Sequence, residues 1–156
     1  MINTTVSRVW VLRLGSTFLG VEPRDFKEVL EVTQPTPVPL APPPLLGLIS
    51  NQGQIVPVFD LSGVLQIAPA GSGIAALLEF EGQPLAFMID EVVGLRTHLS
   101  GAWTAPSQDP LFSAILEEDG RTVQILEVRN LFAYLSVQMS TLAQASATPG
   151  RPVPQA

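Results

Sequence analysis

"PLLGLISNQGQIVPVFDL", residues 44–61, is the stretch whose reading decides the fold. Two apolar runs flank a five-residue break, Ser50 to Gln54, that is small or polar throughout. Asn51, Gln52 and Gly53 fit a tight hairpin turn, with Gly53 supplying the positive φ such turns demand. The runs on either side are continuously apolar instead of alternating, which predicts strands covered on both faces.

Moving outward, the same pattern recurs. "VSRVWVLRLGSTFLGVE", residues 6–22, reads as a hairpin turning at Gly15-Ser16. "IAALLEF" and "PLAFMIDEVVGL" flank Glu81-Gly82-Gln83, and "FSAILE" and "TVQILEV" flank Glu118-Asp119-Gly120-Arg121. Four hairpins with few helical patterns between them predict a mainly β protein of small barrels. In "PRDFKEVLEV", residues 23–32, Pro23 suits a first helical position, and Phe26, Val29 and Leu30 recur at offsets of three and four. This predicts a short amphipathic helix. Six prolines between Pro35 and Pro44 bar helix and interior strand and predict an extended crossover on the protein's own surface. "SGVLQI", residues 62–67, makes about one helical turn, and "EVRNLFAYLSVQMSTLA" ends the fold as an amphipathic helix with Leu131, Leu135, Met139 and Leu142 on one side.

The chain has 156 residues, 46% of them hydrophobic and only 14% charged, so it can bury a core as one domain. We place that domain at 1–142 in two lobes, with the small-residue link between them near 67–73 and a loose Pro/Gly-rich tail over 143–156. The formal charge is −6 and the basic residues do not cluster, which argues against nucleic acid and anionic membrane surfaces as partners. With no cysteine, disulfides, thiolate metal sites and Cys nucleophiles are excluded. The opening "MINTTVSRVWVLRLG" lacks the pattern of a signal peptide and no apolar run reaches membrane-helix length, so the expectation is a soluble cytoplasmic protein without membrane insertion.

No residue set carries catalysis. His98 is the sole histidine and has no partner with which to share a metal or act as a base. Glu117-Glu118-Asp119 reads as a solvated hairpin tip, and Asp90 as a side chain that fixes a strand end by accepting backbone N–H bonds. "GSGIAA", Gly71 to Ala76, matches a dinucleotide-binding Gly pattern, but a strand reading follows it where the pyrophosphate site requires a helix, so the match is chance. Neither a cofactor nor a metal is expected. The profile is that of a binding module whose surface acts.

Three stretches carry a resemblance to the CheW family of chemotaxis adaptors, together covering about residues 6 to 136. They are "WVLRLGSTFLGVEPRDFKEVLEV", "TPVPLAPPPLLGLISNQGQIVPVFDL", which is similar to the family's Gly-Val-Ile-Asn-Leu-Arg-Gly and Val-Pro-Val-Val-Asp-Leu segments, and "PLAFMIDEVVGL". The resemblance implies two small five-stranded SH3-like barrels and a scaffold without catalytic activity. It also implies two partners: the regulatory domain of a CheA-like histidine kinase, and the cytoplasmic tip of a chemoreceptor held in a groove between lobes. Carried across, the partner-facing positions fall on Phe26 and Glu28, and the strand and turn positions on Gly47, Ser50, Asn51, Gln52 and Gly53. Gln52 stands where the family has arginine, which removes a charged five-donor fork. A CheW-fold adaptor serving a pilus-type or other divergent complex is the alternative, and a nucleotide-binding enzyme resting on Gly71–Ala76 a remote one.

Overall fold

The computed structural model describes residues 8–40, 44–67, 69–97, 103–105, 109–118 and 120–147. The elements, in chain order, are β1 (Arg8–Leu14), β2 (Thr17–Val21), β3 (Phe26–Glu31), β4 (Leu45–Asn51), β5 (Gln54–Phe59), α1 (Ser62–Leu65), β6 (Ile74–Phe80), β7 (Gln83–Ile89), β8 (Glu91–Thr97), β9 (Trp103–Ala105), β10 (Phe112–Glu118), β11 (Arg121–Leu126) and α2 (Val128–Ala147). All four predicted hairpins form. They are β1–β2, β4–β5, β6–β7 and β10–β11. The predicted helix over 23–32 does not: residues 26–31 are β3, antiparallel to β6.

The strands build two sheets, ordered β8-β1-β2-β11-β10-β9 and β3-β6-β7-β5-β4. The sequence expectation of a mainly β, two-lobed fold therefore holds, with the three-residue β9 as a sixth strand on one sheet. The lobes are interleaved in the chain. The first sheet takes β1–β2 and β8–β11, and the second takes everything between. The segment near 67–73 consequently joins α1 to β6 beside one sheet, in place of the lobe-to-lobe link expected there. The chain crosses between sheets twice, over Glu22–Asp25 and at the single residue Asp90.

The second sheet nearly closes on itself. Beyond β3, Thr36 exchanges two 2.8 Å backbone hydrogen bonds with Leu48 of β4, the strand at the far edge. Thr36 stands between Pro35 and Pro37, which have no N–H to donate, so the pairing stops at one bridge. Gly47 makes the approach possible, because a Cβ there would collide with the Thr36 carbonyl and the Pro35 ring.

Three apolar clusters hold the sheets. Val9, Val11, Leu116, Val123 and Ile125 fill the inner face of the first, and Val56, Val58, Ala75, Leu77 and Ala86 that of the second. The opposite faces meet in a larger core with Leu12, Leu14 and Leu19 from one sheet and Phe59, Leu78, Leu85, Phe87 and Ile89 from the other, capped by Leu131 and Leu135 of α2. A central strand must therefore be apolar on both faces, which is why β5, β6 and β7 read as continuous runs. In β1 a bulge between Val11 and Leu12 moves the buried set from one core to the other. Met139 and Leu142, also expected on the apolar side of α2, have side chains outside the described residues.

Candidate partner-binding site

The β4–β5 hairpin closes with Asn51 opposite Gln54, leaving Gln52 and Gly53 as a two-residue turn. Their φ values are 54° and 80°, both positive as the turn that matches strand twist requires. Gln52, Gly53 and Ser50 are exposed. Because the sheet curls, the turn comes back beside β3, where Asn51 Nδ2 lies 3.5 Å from Glu28 Oε2, at the outer limit of a hydrogen bond. A shallow depression of about 210 Å³ opens between them, rimmed by Lys27, Glu28, Asn51, Gln52 and Gln54 and floored by Leu77, Leu78 and Pro84.

The structure thus brings Glu28, Asn51 and Gln52 together from segments more than 20 residues apart, with Ser50 and Gly53 beside them on the same hairpin. Two residues of the sequence set lie elsewhere. Phe26 is half-buried against the inter-sheet core, its ring 5.4 Å from Trp10 at 52°. Gly47 is buried under the Thr36 bridge. Ile55, which no sequence argument singled out, sits opposite Ser50 and is 60% exposed. The signal for it was its place: it is the first apolar residue after the polar turn, where the sheet's cover has ended.

Asp90 does what its position suggested. Oδ2 accepts the Gly15 N–H at 2.7 Å, and Oδ1 accepts the Gly71 N–H at 2.8 Å and the Ser72 hydroxyl at 2.9 Å. The Gly15 and Gly71 amides, with Ser72 and nearby Arg13 in support, hold its carboxyl below the usual aspartate range. Gly71 and Ser72 therefore spend their donors on Asp90, and the residues after Gly73 run as β6, so the Gly-rich stretch has no helix to present to a pyrophosphate. Glu117 accepts the Thr122 hydroxyl at 2.8 Å across its hairpin. His98 and Asp119 lie outside the described residues. Among the described residues no cluster of His, Cys, Asp or Glu has the arrangement of a metal site, and no helix is long and apolar enough to cross a membrane.

The model of the CheW-like domain family matches residues 8–136. Among solved structures, the crystal structure of the scaffolding protein TtCheW from Thermoanaerobacter tengcongensis superposes with a TM-score of 0.69 at 23% identity. It covers 79% of this chain and 90% of its own, a likeness of fold. No curated protein sequence matches.

Proposed function

We propose a function from the premise that this chain belongs to the CheW-like domain family: it is a non-catalytic adaptor that couples chemoreceptors to a CheA-type histidine kinase in the cytoplasm. Family membership supports the coarser part, a scaffold of chemotaxis signalling. The observation that carries the finer part is the convergence of Glu28, Asn51 and Gln52 around one depression floored by Leu77, Leu78 and Pro84, with exposed Ile55 on the other face of the same hairpin. A small apolar floor ringed by polar groups is the usual anatomy of a binding hot spot. The kinase regulatory domain engages this face, and the receptor tip lies in a groove between the sheets. Phe26 and Gly47 support the face from within.

Titration of the whole chain with a CheA-type regulatory domain tests the reading. Saturable binding at micromolar concentrations that Ile55→Asp and Glu28→Arg each weaken at least tenfold is expected. A folded chain that shows no binding at tens of micromolar removes the proposal. Gln52 favours a second reading, an adaptor of a pilus-type or divergent complex, because the turn offers an amide in place of a guanidinium. Preferential binding to a pilus-type kinase in the same assay selects that reading.

A further inference from the structure

The two crossings between the sheets are built on opposite electrostatic plans. Asp90, at one, is saturated with donors. The other, Glu22–Asp25, borders an open pocket of about 480 Å³ lined by that linker, Lys27 of β3, Glu79 to Gly82 at the β6–β7 turn, and Glu127 to Arg129 at the start of α2. The side chains of Glu22 and Asp25 are only 26% and 14% exposed. The cation nearest both is Arg24, 78% exposed and at 3.3 Å and 4.0 Å. The remaining cations are engaged: Lys27 pairs with Glu79 at 3.0 Å, and the Arg129 guanidinium lies 6.0 Å over the Phe80 ring. Glu127, the residue before α2, lines the same pocket, and Glu81 adds a further acid at the turn, neither with an ion-pair partner among the described residues.

The pocket therefore holds five carboxylates against three cations, with two of the acids substantially shielded from water. Shielding disfavours the charged form, and like charges add to it. Both effects act in the same direction on the linker. Burial, against the pull of Arg24 and with Glu127 adding to it, pushes the Glu22 and Asp25 carboxyls above their ordinary values, and Asp25 further raises Glu22. The linker is folded on itself and tied to β6, since Asp25 N–H donates to the Glu22 carbonyl at 2.9 Å and the Asp25 carbonyl accepts the Glu79 N–H at 3.0 Å. A change of charge on the two acids is thus felt directly at the joint.

We propose that this crossing is a proton-dependent clasp: on acidification Glu22 and Asp25 take up protons, which relieves repulsion from Glu127 and tightens the linker between β6 and the start of α2. The clasp is a property of the fold, independent of which partners the adaptor serves. Carboxyl-carbon NMR titration of the full chain is the test. Glu22 and Asp25 titrate with midpoints above 4.5 and 3.8, and Glu127→Gln moves both midpoints down. In parallel, the urea midpoint of the wild type rises as pH falls from neutrality toward 4.5 by more than that of the Glu22→Gln/Asp25→Asn double variant. Midpoints at or below the ordinary values, midpoints indifferent to Glu127→Gln, or equal pH slopes in wild type and double variant overturn the proposal.

Discussion

Gln52 occupies the first central position of a turn in which both residues have positive φ, and a Gln there strains against its own Cβ. Asparagine tolerates that conformation far better, so Gln52→Asn should stabilise the chain by about 0.5–1 kcal/mol, read as a higher urea midpoint at unchanged slope. Gly53→Val should cost about 1–2 kcal/mol by the converse argument. The space around Gly53 is open, so the loss is one of backbone strain alone. Gln52→Arg leaves the backbone as it is and adds a guanidinium at the rim shared with Glu28. If an acidic partner docks here, affinity for it should rise about tenfold, roughly 1.4 kcal/mol. Unchanged or weaker binding would mean that the surface has been rebuilt around the amide.

At the scale of elements, β3 shows where a sequence stops being legible. Phe26, Val29 and Leu30 have the spacing of a helix face, yet they form an edge strand. The register against β6 slips between Phe26 and Glu28, and that bulge replaces strict alternation with a three-residue step that mimics a helical period. Pairing with β6 and burial of the Phe26 ring against Trp10 outweigh local propensity. The interior strands were legible for the opposite reason. Two flanking cores leave no solvent face, so uninterrupted apolar runs are the only sequences that fit β6 and β7. The candidate site divides the same way. The turn was visible from its residues, whereas the approach of Glu28 to Asn51 depends on sheet closure at Thr36–Leu48, a long-range contact that local patterns do not encode. Phe26→Ala should therefore act as a core truncation, costing about 2 kcal/mol against roughly 3–5 kcal/mol for a fully buried ring, with a red shift of Trp10 emission. Gly47→Ala should open the Thr36 bridge and weaken partner binding indirectly, by letting β3 and the turn drift apart. A Gly47→Ala chain with wild-type amide protection at Leu48 would refute that linkage.

For the molecule as a whole, the decisive feature is that one chain crosses between two interleaved sheets at only two places, and both carry carboxylates with shifted affinity for protons. The signs are opposite. A carboxyl raised in the folded state contributes most stability when protonated, so Glu22 and Asp25 favour the fold below their ordinary values of 4.5 and 3.8, and that contribution is lost as pH rises through their raised folded values. A carboxyl lowered in the folded state contributes when charged, so Asp90 favours the fold above 3.8 and stops doing so as pH falls through its depressed folded value. The combined contribution of the three groups therefore rises on acidification from neutrality, as Glu22 and Asp25 take up protons, until Asp90 begins to lose its share near 3.8. Asp90→Asn isolates the second half of this behaviour. It removes the charge behind the Gly15, Gly71 and Ser72 hydrogen bonds, at a cost of about 1–2 kcal/mol near neutral pH, the low end for charge-assisted bonds because the site is only partly buried. The gap in urea-derived stability between wild type and Asp90→Asn should be constant from pH 7 down to about 5 and then close as pH falls below 3.8. A gap that persists unchanged into strong acid would show that Asp90 holds the crossing by shape and neutral hydrogen bonding, and that its charge contributes nothing to joining the sheets.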